Sequence, residues 1–150
     1  MEGQTYTKRL SVDWVNRVKS FARTQYMSLS TVLLGMYVIL LNQYSKQEDI
    51  IVGMPVMVRP EERFDQLIGY FVNMLPIRSQ VSETETFLDF MKKLQITVVN
   101  GMDHAPYPFP ALVRALNVPR LQASSPVFQA VFFLPKFSAN FKLAAALCAV

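Results

Sequence analysis

Chemistry-bearing residues are scarce in this chain. Its 150 residues hold one cysteine, Cys148, one histidine, His104, and one tryptophan. A lone cysteine excludes an internal disulfide and a cysteine metal cluster, and it fits a cytoplasmic protein. One histidine excludes a two- or three-histidine metal site, and the carboxylates do not cluster, so no metal site is expected. Gly53, Gly69 and Gly101 stand too far apart for a phosphate-cradling loop. The one long apolar run, Val32 to Leu41, has ten residues. A membrane helix needs roughly 20, so this run reads as a buried helix. No charged-then-apolar leader opens the chain, and neither export nor membrane insertion is expected.

Charge is mild and dispersed. The net charge is +4, and the fifteen Lys and Arg form no run longer than Lys8-Arg9 or Lys92-Lys93. Nucleic-acid binding would call for a basic stripe with stacking aromatics, whereas the aromatics here sit at apolar-periodic positions and read as core. A slightly basic face suits an acidic carrier protein. What the chain has in quantity is apolar surface: 51% of residues are hydrophobic and 17% charged, with a mean hydropathy of +0.21. One domain with a real core fits in this length. So apolar a composition is expected of a piece of a larger body, whose uncovered face would drive self-association.

The spacing of apolar residues predicts the elements. Residues 5–10 read as a short strand. Ser11 caps a helix carrying Val15, Val18, Phe21 and Ala22 on one stripe. Ser28 or Ser30 caps a second helix, apolar nearly all round and therefore central. Glu48 and Asp49 lead into a strand from Ile50 to Val58, and Pro60-Glu61-Glu62 starts a helical turn. A second strand follows Gly69, where a missing side chain permits close backbone approach or a bulge. Thr86 and Asp89 form a capping box for a helix that buries Phe87, Phe90, Met91, Leu94 and Val98 and stops at Asn100-Gly101. Pro106, Pro108 and Pro110 impose an extended loop, and Pro110 then opens a helix with Leu112, Val113 and Leu116. Val127 to Leu134 reads as a buried strand. Met27, Met36, Met54, Met57 and Met74 read as gap-filling core. The fold class is α/β, a mixed sheet packed against helices.

Four stretches carry a family resemblance. Ile68 to Arg78, IGYFVNMLPIR, closely resembles the "IGxFVNTLxLR" motif of condensation domains in nonribosomal peptide synthetases. Gln47 to Val56 resembles "xEDIVVGTPVAGR", with Gly53 and Pro55 in place and Arg59 at the arginine. His104 to Phe109 resembles "HQDYPFE", keeping Pro108 and Phe109 while Ala105, Pro106 and Pro110 replace its Gln, Asp and Glu. Ser125 to Phe132 resembles "SRxPLFQVMF", through Pro126, Phe128 and Gln129. The resemblance covers about Leu10 to Leu134 and implies residues 1–137 as the C-terminal lobe of a two-lobed chloramphenicol-acetyltransferase-like (CoA-dependent acyltransferase) fold. Residues 138–150 read as a tail, in which Lys142 to Leu147 resembles translated vector sequence.

The resemblance also implies a function. The parent domain of a peptide synthetase, or of a hybrid polyketide–peptide synthase, would join acyl or peptidyl and aminoacyl thioesters into an amide. Its partners would be the N-terminal lobe of the same domain and carrier domains bearing phosphopantetheine, with no cofactor of its own in this piece. The family's catalytic HHxxxDG motif is absent, and one histidine cannot supply it, so no catalytic residue can be named and the chain alone is expected to be inactive. A non-catalytic docking domain of the same kind, or a stand-alone acyltransferase, would carry the same four motifs. His104 is expected to make a structural hydrogen bond.

Asn73 and Gln129 are the candidates for the substrate channel. Each is a polar residue in an apolar stretch, and a buried amide without partners costs about 1–3 kcal/mol. Asn73 therefore either ties strand to loop or points a donor into the channel, and Gln129 faces the same choice. Arg59 and Arg78 are either solvated strand ends or members of a salt bridge across the lobes. Gly69, Phe71, Pro108, Phe109, Pro126 and Phe128 complete the structural positions of the motifs.

Overall fold

The structure, a computed structural model, describes residues 4–58, 69–117, 125, 127–135 and 148–149. Two helices open it. Helix α1 (Val12–Thr24) is capped by Ser11, whose hydroxyl accepts from the Trp14 N–H, and Asp13 sits in its positive first turn. Helix α2 (Leu29–Ser45) takes Ser28 as its cap, the hydroxyl accepting from the Thr31 N–H. No single described helix is long and apolar enough to cross a membrane. Thr31, Val32, Leu34, Gly35 and Val38 of α2 are buried within the protein instead.

Strands β1 (Asp49–Met57) and β2 (Val72–Gln80) form the sheet's main ladder, antiparallel from Asp49↔Gln80 to Met57↔Val72. Alternation places Ile50, Val52 and Val56 of β1 with Leu75, Ile77 and Ser79 of β2 on one buried face. Both strands contain a proline. The Gly53 carbonyl accepts from the Phe132 N–H at 2.9 Å, so residues of its parity direct their backbone groups away from β2. Pro55 and Pro76 share that parity in the register, and neither missing N–H removes a bond of this ladder.

Helix α3 (Phe87–Asp103) lies on the buried face, its cap Thr86 accepting from the Asp89 N–H and donating to the Asp89 carboxylate. Phe90, Met91 and Leu94 are its buried residues, and a Cβ on Gly35 of α2 would meet Leu94 at 3.2 Å. The prolines before helix α4 (Phe109–Leu116) do not impose an extended loop: residues 104–107 turn, with the Tyr107 N–H bonding the His104 carbonyl at 3.0 Å. Pro110 sits in the first turn of α4. Strands β3 (Ala130–Val131) and β4 (Cys148–Ala149) complete the sheet order β2-β1-β3-β4, with β3 parallel to β1. β4, within the segment read as a tail, pairs antiparallel with β3.

Several expectations change. Residues 5–10 form no strand. Gly101 does not end α3, which continues to Asp103. Lacking a side chain, Gly101 instead lets the helix approach the sheet, where a Cβ would lie 3.3 Å from both Ile77 and Leu75. The strand expected over Val127 to Leu134 shrinks to Ala130–Val131, because β1 offers it a ladder only at Val52 and Gly53. Hydrophobicity there reports burial of Phe128 and Phe132 rather than pairing. Met27 is buried but Met57 is 63% exposed, so the methionines are not uniformly core. The turn at Pro60-Glu61-Glu62, Arg59 and Pro126 lie outside the described residues.

Candidate functional site

Asn73 stands near the start of β2, opposite Val56 on the helix-facing side. Its amide nitrogen donates to the carbonyls of Ala105 at 2.8 Å and Tyr107 at 2.7 Å. Its Oδ1 accepts from the Phe109 N–H at 3.1 Å. Three hydrogen bonds from one side chain thus bind β2 to Ala105 and Tyr107 of the proline-rich loop between α3 and α4 and to Phe109, the first residue of α4. Pro106 and Pro108 have no N–H to offer; the local turn bond from the Tyr107 N–H serves the His104 carbonyl at 3.0 Å, and Asn73 supplies partners to the Ala105 and Tyr107 carbonyls. Both N–H groups of Asn73 are committed, and only one lone pair of Oδ1 is left over. The geometry is that of a strand-to-loop tie.

The loop begins at His104, which ends α3 and directs Nδ1 to the Asn100 carbonyl at 2.8 Å. It closes at Phe109, whose ring meets that of Phe128 at a centroid distance of 5.3 Å. Phe128 in turn lies over Gly53, where a Cβ would stand 2.6 Å from its Cζ. Gly53, Asn73, Phe109 and Phe128, drawn from four separate stretches, therefore meet in one connected cluster. Pro55 and Pro108 flank it in sequence. Gln129 follows Phe128 but is exposed, and its Nε2 donates to the Ser125 carbonyl at 3.0 Å. It is not the buried strand amide that its apolar neighbours predicted.

Arg78 does not join the cluster. Five residues along β2 from Asn73, it is roughly 17 Å away at the usual strand rise. Its guanidinium binds the Asp49 carboxylate through Nε and Nη2, at 2.9 and 2.7 Å. This is a pair within one sheet, between adjacent strands. The hydrogen bond to Arg78 holds the Asp49 carboxyl below the usual carboxylate range, and Arg78 is raised in turn. Gly69 precedes β2 in a bend, and a Cβ there would stand 3.0 Å from the Phe71 ring. Phe71 extends the ladder, its carbonyl accepting from the Val58 N–H at 2.7 Å. No group of three or more His, Cys, Asp or Glu able to hold a metal occurs among the described residues.

The profile of the condensation domain matches residues 1–145. The chain belongs to the condensation-domain family. This condensation-domain chain is 50% identical over 136 residues to the polyketide synthase PksN of Bacillus subtilis (strain 168), covering 91% of the chain and 2% of that protein. It is 36% identical over 133 residues to surfactin synthase subunit 1 of the same organism, covering 89% of the chain and 4% of that protein. It spans, then, only a few per cent of these relatives' lengths. Among solved structures it superposes on holo-AB3403, a four-domain nonribosomal peptide synthetase bound to AMP and glycine, with TM-score 0.86 and 24% identity, over 92% of this chain and 10% of that one. The condensation domain of the Monacolin K polyketide synthase MokA gives TM-score 0.80 and 22% identity, over 94% of this chain and 33% of that one. The fold is therefore the α/β fold of condensation domains, as the four motifs implied.

The cluster's internal logic was only partly visible in the motifs. Asn73 and Phe109 were singled out separately, but nothing in their spacing joined them. The missed participants are Ala105 and Tyr107, which contribute backbone carbonyls and so leave no side-chain signal. The available clue was an asparagine in an apolar strand together with a loop whose prolines lack N–H groups.

Proposed function

We propose that this chain is the C-terminal part of a condensation domain whose parent, a cytoplasmic peptide synthetase or hybrid polyketide–peptide synthase, makes amide bonds between carrier-bound substrates. In that reaction the acceptor amine attacks the donor thioester carbonyl. A C–N bond forms, the C–S bond breaks, and the proton lost by the amine ends on the departing pantetheine thiol. The activated thioester supplies the driving force, so the protein must position two tethered chains and move one proton.

The observation that carries this reading is the meeting of all four family motifs in the Gly53, Asn73, Phe109 and Phe128 cluster. Asn73 acts through the loop it holds, because its donors are already engaged. Gln129 is the amide with capacity to spare: exposed, with one described bond, it retains an N–H and an acceptor for a substrate or its tether. The proton is handled elsewhere, since the sole histidine is turned to its own helix. We assign that step to the N-terminal lobe of the same domain. The sheet face opposite α3, bearing Pro55, Met57, Met74 and Pro76, is the surface we assign to that lobe's side, and Met57, exposed on it, favours self-association of the chain alone.

The test is a condensation assay with donor- and acceptor-loaded carrier proteins, followed by mass spectrometry. The parent protein is expected to form the amide and the 150-residue chain to form none. No amide from the parent, or amide from the chain alone, would overturn the assignment.

A further inference from the structure

Beside the cluster, a cavity of about 310 Å³ opens between the first turn of α2, the second half of β1, the end of α3 and the segment after β3. Val56, in its wall, is the register partner of Asn73, and Met102, also in its wall, lies two residues before the loop that Asn73 holds. The cavity thus adjoins the candidate site from the helix side of the sheet.

Its lining is selective in three ways. Among the described residues no Lys, Arg, Asp or Glu faces it, so a charged ligand group would lose its water without gaining a partner from them. Leu34, Val98 and Phe132 make it apolar, and Met54 and Met102 give it unbranched walls that adapt to a flexible chain. Hydroxyls are confined to the α2 end. There Ser28 and Thr31 bond each other at 2.8 Å, while the Ser30 hydroxyl has no partner among the described residues. At about 30 Å³ for each water-sized group, the space takes on the order of ten such groups. An apolar pocket of this size with one hydrogen-bonding position is the usual form of a small-ligand site.

We propose that this cavity receives the aliphatic part of the thioester-bound substrate, as an uncharged acyl chain of medium length with a carbonyl or amide turned to Ser30. The proposal rests on the amide-forming reading above and names the substrate class it prefers.

Octanoyl N-acetylcysteamine thioester serves as the probe, titrated into the 150-residue chain carrying ¹³C-methyl methionine and followed by NMR. The Met54 and Met102 methyl signals are expected to shift saturably, while that of Met57, on the opposite sheet face, stays in place. Met102→Trp, which fills the mouth from a position 46% exposed, should weaken binding at least tenfold. Ser30→Ala, the milder variant, should weaken it severalfold. Absence of shifts at Met54 and Met102, shifts at Met57 as large as theirs, or unchanged affinity in the folded variants would each overturn the proposal. Because binding is read without turnover, an inactive parent protein leaves this result standing. An active parent does not rescue it when the methionine signals stay still.

Discussion

The ring of Phe128 occupies the space in which any residue but glycine at position 53 would place its Cβ, with Cζ 2.6 Å and Cδ2 2.7 Å from that point. Gly53 also accepts the Phe132 N–H in the bond that continues the β1–β3 pairing. The strand cannot move away without losing that bond, and the ring cannot move freely because Phe109 packs on it. Gly53→Ala should therefore destabilise by about 1–3 kcal/mol, the usual cost of overpacking a filled site. In the double variant with Phe128→Leu, the loss should be smaller than the sum of the single losses, since the two changes share one space. Urea denaturation of the four proteins measures this, and strict additivity would show that the contact is not the cause.

Asn73 offers a sharper dissection, because its two ends do different work. Asn73→Ala strips partners from the Ala105 and Tyr107 carbonyls and from the Phe109 N–H, at a cost of about 1–3 kcal/mol. Asn73→Asp keeps an acceptor for Phe109 but turns a carboxylate toward two carbonyl oxygens. Amide exchange at Phe109 should accelerate in the alanine variant and less in the aspartate one. The aspartate variant should also be pH-dependent. Facing carbonyls, its carboxyl prefers the protonated, donating form, so its folded pKa lies above the ordinary value of about 3.9. Its deficit should then be greatest at neutral pH and shrink as pH falls into the acid range. A deficit independent of pH would mean that the carboxylate turns away from the loop.

These tests probe what the sequence conceals. Ser11, Ser28 and Thr86 act as helix caps where side-chain chemistry alone foretells it, since capping is local. The strands after Asp49 and after Gly69 are equally legible, whereas their register is seen only in the structure. Failures occur where a distant surface decides. Gly101 looks like a helix stop until Leu75 and Ile77 are seen beneath it. The apolar run around Phe128 looks like a strand until the shortness of its ladder with β1 is known. In the cluster, the family motifs identify Asn73, Phe109 and Phe128, but their hydrogen bonds go largely to backbone groups, which every residue possesses and no sequence pattern marks.

The Asp49–Arg78 pair predicts a small effect of defined sign. Both side chains are well exposed, at 45% and 72%, where ion pairs contribute little and salt screens them. In Arg78→Met, the Asp49 carboxyl should titrate upward into the ordinary range, followed by its NMR chemical shift. A carboxyl held low in the folded state stabilises above its unfolded pKa of about 3.9. That contribution fades as pH falls through the folded value. Wild type and variant should thus differ most at neutral pH and low salt, and converge in acid. An unchanged Asp49 titration in the variant would show that Arg78 is not what holds it down.

Tyr26 provides a case in which a substitution should help. It follows α1 with φ of 54°, in the left-handed region. The turn is fixed by its own N–H bonding Arg23 and the Met27 N–H bonding Ala22, at 3.2 and 2.8 Å. An L-residue pays roughly 1–2 kcal/mol for that conformation, and glycine adopts it freely. Glycine loses part of the advantage through the greater freedom of its unfolded chain. The tyrosine side chain is 90% exposed, so removing it sacrifices little packing. The carbonyl that accepts from Gln95 Nε2 is retained. Tyr26→Gly should therefore stabilise by about 0.5–1 kcal/mol, seen as a higher urea midpoint with an unchanged slope. Tyr26→Ala separates the causes, because alanine removes the ring but keeps the Cβ. It should give no gain, and a gain equal to that of glycine would place the effect in the side chain instead of the backbone.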